Sequence, residues 1–110
     1  MYTMNSYAKK GANQYITNEI LNATPEQLIM KVYDFAILNC QKRNLFKTNE
    51  ALHVLITALN FDDPRAKAIA VGLLKIYSFC QKQIRKNKFE EVQRILEDLR
   101  QTWITALKNR

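Results

Sequence analysis

The side chains best suited to chemistry in this chain are two cysteines and one histidine. Cys40 and Cys80 are its only cysteines, and His53 is its only histidine. Each cysteine falls on an apolar helical stripe, and two isolated thiols make neither a disulfide framework nor a zinc site. Free cysteines are often buried. The sequence therefore predicts reduced core thiols, a His53 side chain on a helix surface, and no metal ion or other cofactor.

The acidic residues form no catalytic pattern either. Most of them fall where helices are predicted to begin, and carboxylates there cap free backbone N–H groups and suit the helix dipole; they are Glu26, Asp62, Asp63, Glu90 and Glu91. No serine or cysteine has a base at a workable spacing, and there is no glycine-rich phosphate loop. We expect a protein that is not an enzyme and has no small-molecule substrate.

The basic residues outnumber the acidic ones, 17 to 10, which gives a net charge of +7. In an up-and-down bundle, the ends of the first and third helices share one pole. That pole collects Lys42, Arg43, Lys47, Lys82, Arg85, Lys86 and Lys88. Cations at helix C-termini are favoured by the dipole alone. The functional alternative is a basic helical adaptor for nucleic acid or an acidic protein, although only Phe46 and Phe89 are placed to stack on bases, which weighs against nucleic acid.

Caps and apolar periodicity predict four helices after an N-terminal arm. Thr24 is a good N-cap, Pro25 fits the first helical position, and Gln27 completes a capping box. The polar residues 47–49 interrupt the pattern, and Asp63 with Pro64 gives a second start signal. The predicted helices run from 25 to about 43, from about 49 to 60, from 64 to about 86, and from 89 to the end of the chain, where Lys108 and Arg110 suit the helix dipole.

The apolar stripes predict which side chains form the core. On the first helix they include Phe35, and on the third they include Ile69. Gly72, inside the third helix, indicates a close helix crossing. Trp103 is expected to be a core residue of the fourth helix and not a partner contact.

The predicted fold class is all-α, an antiparallel up-and-down four-helix bundle formed by residues 24–110 as one domain. Residues 1–23 form an extended or short-helical arm. No run of eighteen apolar residues is present, and the first residues lack the apolar core of a secretory signal. We therefore expect no membrane insertion and a cytoplasmic location.

Three stretches in register resemble the flagellin-specific export chaperones, the FliS family. The second stretch is Leu73-x-x-Ile76-Tyr77-x-Phe79, and the third is Glu91-Val92 with Ile95, Leu99-Arg100 and Trp103. The first is the longest: Tyr15-x-x-Asn18-x-Ile20-x-x-Ala23-Thr24-Pro25-x-x-Leu28-x-Met30-x-Val32-Tyr33-Asp34.

The resemblance implies a chaperone that binds the disordered C-terminal segment of flagellin and prevents premature polymerisation, with the export gate or other flagellar proteins as further partners. It also implies that the N-terminal segment covers part of the client surface, which makes Tyr15 the first candidate for a displaced residue. The partner-binding candidates are Tyr15, Asn18, Ile20, Ala23, Pro25, Leu28, Tyr33 and Tyr77. For Tyr33 and Tyr77 a structural role is the alternative, since core tyrosines commonly find one hydrogen-bond partner.

The sequence departs from the family pattern at three places. Phe35 stands where a glycine is usual, Ala66-Lys67 replaces a Gly-Gly pair, and the connection between the first two helices is short. These departures keep open a third interpretation, a family relative that serves another export component.

Overall fold

The computed structural model describes residues 23–109, and this part of the chain folds into four α-helices. They are α1 (Pro25–Gln41), α2 (Leu45–Thr57), α3 (Lys67–Arg85) and α4 (Phe89–Lys108). Helix α1 packs against α2 and α4, and α3 packs against the same two helices. The predicted all-α four-helix bundle is therefore confirmed. The predicted arm lies outside the described residues except for Ala23.

Helix α1 begins with the predicted capping box. The Gln27 N–H donates to Thr24 Oγ1 at 3.1 Å, and the Thr24 N–H donates to Gln27 Oε1 at 2.9 Å. Pro25 occupies the first helical position, where no backbone N–H is needed. These local bonds fix where the chain enters the bundle.

The starts of α2 and α3 differ from the sequence prediction. Helix α2 begins earlier, because Asn44 is its N-cap and accepts a hydrogen bond from the Lys47 N–H at 3.0 Å. Helix α3 begins later, because Asp63 makes a tight turn instead: its carboxylate accepts from the Arg65 N–H at 3.0 Å. The N-cap of α3 is Ala66, which makes no side-chain cap bond.

The α1–α2 and α3–α4 connections have the same backbone form. Arg43 and Asn87 both adopt the left-handed conformation, with φ of 55° and 64°. In each turn the residue after the left-handed one donates its backbone N–H to the carbonyl five residues earlier. The Asn44 N–H donates to the Asn39 carbonyl, and the Lys88 N–H donates to the Gln83 carbonyl. This is the Schellman pattern that commonly ends a helix.

The two helical hairpins are also related in sequence. Tyr33 and Tyr77 lie 44 residues apart, as do Arg43 and Asn87. At the same offset the stretch Ile-Met-Lys-Val-Tyr-Asp-Phe of α1, residues 29–35, aligns with Leu-Leu-Lys-Ile-Tyr-Ser-Phe of α3, residues 73–79. The bundle is therefore built from two equivalent hairpins, α1–α2 and α3–α4.

The core lies between the hairpins and includes both thiols. The largest fully buried side chains are Tyr33, Tyr77, Leu52, Leu55, Ile84 and Leu96. Cys40 and Cys80 are free and buried, and His53 is exposed, as predicted. Burial raises the pKa of the Cys40 thiol to about 11 and that of the Cys80 thiol to about 12. Both thiols are consequently neutral and unreactive near pH 7.

Three core predictions were wrong. Phe35 is 45% exposed and Ile69 is 64% exposed, because each lies at the outer edge of its helix's apolar stripe. Gly72 does not mark a close helix crossing. It is exposed, and a Cβ added there would meet no atom within 4 Å.

Candidate partner-binding surfaces

A buried hydrogen-bond cluster joins the two hairpins at their equivalent tyrosines. The hydroxyls of Tyr33 and Tyr77 lie 2.5 Å apart, and their rings meet edge to face with centroids 6.4 Å apart. Trp103 of α4 donates its indole N–H to Tyr33 Oη at 3.1 Å. The pKa of both tyrosines is raised, mainly because their hydroxyls are buried, so the hydroxyls stay protonated. Each has a partner, as the structural interpretation of these residues expected.

An apolar groove opens beside this cluster at the end of the bundle where α1 begins. We call it the end groove; its volume is about 210 Å³. All four helices contribute to its walls, and the lining side chains are apolar except for the polar groups of Asn60, Tyr77 and Trp103. The lining residues are Ile29, Leu55, Ala58, Leu59, Asn60, Ala66, Ile69, Ala70, Leu73, Tyr77 and Trp103.

A second groove runs between α3 and α4 on the side of the bundle. This side groove has a volume of about 430 Å³ and is lined by Lys75, Ile76, Phe79, Ile95, Asp98 and Leu99. Its apolar floor is flanked by one cation and one carboxylate. Phe79 is 44% exposed, so a partner that filled the groove would cover it.

The predicted site residues are found in different environments. Tyr33 and Tyr77 are buried, and Tyr77 forms part of the inner wall of the end groove. Ala23 and Leu28 are half-buried, whereas Pro25 is exposed at the helix start. The remaining candidates lie outside the described residues: Tyr15, Asn18 and Ile20. Hence no single described surface unites the whole predicted set.

Trp103 lies in a place that the sequence did not predict. It packs on the core, as expected, but it is only partly buried and also lines the end groove. The end of α4 stands beside the start of α1, where the bundle is open. A partner in the end groove would therefore contact Trp103.

Residues from all three family-like stretches meet around this cluster. Tyr33, Tyr77 and Trp103 come from the first, second and third stretch and form one hydrogen-bonded group. Beside them, Arg100 Nε donates to Asp34 Oδ1 at 2.6 Å and joins α4 to α1. Several residues of the three quoted stretches therefore stabilise the fold of this chain. Sequence reasoning missed the Asp34–Arg100 pair, although both residues belong to the quoted stretches.

The basic pole forms at the opposite end, as the topology predicted. There Arg43 bridges the two turns: it donates to the Asn87 carbonyl at 3.1 Å, binds Glu90 at 2.5 Å and lies 5.1 Å above the Phe89 ring. These contacts stabilise a non-glycine residue in the left-handed conformation. Its own backbone N–H first, and then Arg43, lower the pKa of Glu90. Arg43 is thus engaged within the fold.

The other cations of the pole are exposed. Within residues 23–109 none of them makes an ion pair. They are Lys42, Lys47, Lys82, Arg85, Lys86 and Lys88. The pole therefore presents free positive charge on two turns that the contacts of Arg43 with Asn87 and Glu90 hold together.

Across the described part of the chain, no cluster of three His, Cys, Asp or Glu side chains is arranged to hold a metal ion. No helix described there is long and apolar enough to cross a membrane. Neither the models of known protein families nor the curated proteins give a match to this sequence.

Proposed function

We propose that this protein is a cytoplasmic export chaperone that binds the disordered C-terminal segment of flagellin. The observation that carries the proposal is the pair of apolar grooves, set in a bundle whose core contains Tyr33 and Tyr77 of the stretches that resemble the flagellin-specific family. Supporting this, exposed large apolar side chains flank both grooves, with Ile69 at the end groove and Phe79 at the side groove.

A disordered client fits these surfaces better than a folded one. Grooves between helices accept the apolar face of a segment that becomes helical on binding. The client loses conformational entropy when it orders, so its affinity must come from many moderate contacts. Such contacts also permit release at the export machinery. The covered segment could not polymerise while bound.

The N-terminal arm is proposed to compete for the end groove. Pro25 starts α1 at the same end of the bundle, and Ile29, one turn later, lines the groove. The arm carries Tyr15, Ile16, Ile20 and Leu21. Apolar side chains attached so close to an apolar groove provide a cover that a client can displace.

The test is a titration of the full-length protein with a synthetic flagellin C-terminal segment from the same cell. We expect a 1:1 complex, a negative heat-capacity change, a gain of helix by the peptide, and little dependence on salt. Trp103 is the only tryptophan, so its fluorescence reports on the end groove. An absence of heat together with an unchanged Trp103 fluorescence at roughly 50 μM protein, a concentration that detects micromolar affinity, would falsify the proposal.

Matched variants locate the binding surface. Ile69→Glu should weaken binding, since it places a charge on the wall of the end groove. Val54→Glu is the control, because Val54 is also an exposed β-branched residue, 46% accessible, but lines neither groove. Equal effects of the two substitutions would argue against groove binding.

A further inference from the structure

The first turns of α2 and α4 are equivalent in the two hairpins but have opposite character. In α4 the first residue, Phe89, is 3% exposed and is followed by Glu90 and Glu91. In α2 the corresponding residue, Leu45, is 47% exposed and is followed by Phe46, which is 70% exposed, and then by Lys47. The same backbone position thus carries a packed, acidic turn in one hairpin and an exposed, apolar, basic turn in the other.

The residue types in the first turn of α4 stabilise the helix start, whereas those in the first turn of α2 do not. Acidic residues near a helix N-terminus are favourable and cations are unfavourable there. Helix α2 has no acidic residue in its first turn, and its two large apolar side chains are left largely in water. Residues that break local rules without a compensating contact are expected at functional sites.

The turn that precedes α4 also contains a residue type that is not preferred at a helix start. Lys88 is the N-cap of α4 and makes no side-chain cap bond, where Ser, Thr, Asp or Asn is preferred. The contacts of Arg43 with Asn87 and Glu90 hold this turn against the start of α2. The two turns at this end of the bundle therefore present two exposed apolar side chains and four exposed lysines; they are Leu45, Phe46, Lys42, Lys47, Lys86 and Lys88.

Few carboxylates oppose this charge. Glu90 is bound by Arg43, and Glu91 accepts a hydrogen bond from Gln83 Nε2 at 3.1 Å. Glu50 lies one turn further along α2. The lysines consequently have no ion-pair partner among the described residues.

We propose that this surface binds an acidic, amphipathic protein segment, whose carboxylates meet the lysines and whose apolar side chains cover Leu45 and Phe46. The aliphatic Leu45 favours a protein over nucleic acid, because a phosphate backbone gains nothing from covering it and only Phe46 is exposed for base stacking. This inference is independent of the grooves.

The protein's own N-terminal segment does not fit the surface. Residues 1–22 contain two lysines and a single acidic residue, Glu19, so they lack the negative charge that would complement the lysines of the surface. Charge complementarity therefore points to a separate, acidic partner.

The test measures fluorescence anisotropy of a labelled peptide of about twelve residues, long enough for three helical turns, rich in Asp and Glu around a central Leu-Phe pair. We expect this peptide to bind the full-length protein. In the variant Phe46→Glu/Lys47→Glu its affinity should fall at least about tenfold, which is a readily measured change. That variant gives α2 the two glutamates of α4, so its melting temperature should hold or rise. Peptides with Asn and Gln for the acids, or Ser for Leu-Phe, should bind more weakly.

Lys67→Glu/Val71→Glu is the matched control, since it makes the same charge change in exposed residues of α3 that line neither groove. It should keep most of the peptide affinity. Equal losses in the two variants, an unaffected Phe46→Glu/Lys47→Glu protein, or no peptide binding below about 1 mM would overturn the proposal. Tighter binding of oligo(dT) than of the peptide, with a steep salt dependence, would instead assign the surface to nucleic acid.

Discussion

The hydroxyl groups of Tyr33 and Tyr77 lie 2.5 Å apart in the interior of the bundle, one from each hairpin. Their positions, 44 residues apart, are equivalent in the internal repeat. Each hydroxyl therefore provides the hydrogen-bond partner that burial of the other requires. Helices α1 and α3 are joined at this point by a bond that neither hairpin can make alone.

We predict strong coupling between these tyrosines in a double-mutant cycle. Tyr33→Phe should cost about 1–3 kcal/mol, because it leaves the buried Tyr77 hydroxyl and the Trp103 N–H without this partner. Tyr33→Phe/Tyr77→Phe should cost clearly less than the sum of the single changes, since no hydroxyl is then left unpaired. Urea unfolding followed by circular dichroism measures all three variants. Additive costs would mean that the hydroxyls stabilise the bundle independently.

We next predict that stability falls at alkaline pH. Burial raises the folded-state pKa of Cys40 to about 11 and of Cys80 to about 12, and it also raises the pKa of both tyrosines. In the unfolded chain thiols ionise near pH 9 and phenols near pH 10, at about their reference values. The unfolded state therefore loses protons first, and the free energy of unfolding should decrease as the pH rises above about 9.

The cysteine contribution can be isolated by substitution. The variant Cys40→Ala/Cys80→Ala keeps the two tyrosines and lacks the two thiols. The pH at which the free energy of unfolding begins to decrease should therefore move up towards about pH 10. The comparison uses the onset and not the absolute stability, since the alanines also remove core volume. An onset that stays at the same pH in both proteins would contradict the assignment to the thiols.

A third prediction concerns the proposed arm. A protein that lacks residues 1–16 should be slightly less stable, because apolar surface in the end groove loses its cover. Its association with the flagellin segment should be faster, because no displacement is needed. Stopped-flow fluorescence of Trp103, which lines that groove, measures the rate directly.

Tyr15→Ala should give the same changes more weakly. If truncation mainly raises the dissociation rate, the arm clamps the client and does not compete with it. Unchanged rates together with unchanged stability would mean that the arm has no part in binding.

Local signals in the sequence were sufficient for the start of α1 at Pro25 and for the start of α4 at Phe89. The capping box of Thr24 and Gln27 forms within four residues, so its bonds require no distant contact. The start of α2 was missed because the polar residues 47–49 interrupt the apolar pattern. In the structure Thr48 is buried within α2, and its hydroxyl donates to the Asn44 carbonyl at 2.7 Å.

The grooves could not be predicted, because they depend on how the four helices pack against one another. Periodicity identifies an apolar stripe, but it does not show which edge of the stripe a neighbouring helix leaves uncovered. This is why Phe35 and Ile69 were placed in the core. One available signal was overlooked: the repeat of Lys31, Tyr33 and Phe35 at Lys75, Tyr77 and Phe79 indicates two equivalent hairpins.

The last prediction tests whether Lys88 is retained for binding at the expense of stability. Lys88→Ser places a good N-cap three residues before Glu91, the spacing of a capping box. A new cap of this kind is worth about 0.5–2 kcal/mol, so the melting temperature should rise by roughly 4–8 °C per kcal/mol for a domain of this size. The same change removes one lysine from the proposed binding surface and should weaken binding of the acidic peptide.

Lys88→Gln is the control, since it removes the charge without supplying a preferred cap. It should weaken peptide binding similarly, while the melting temperature changes little. If Lys88→Ser raises the melting temperature and leaves peptide binding intact, Lys88 does not belong to the surface, and the contacts must come from its other residues.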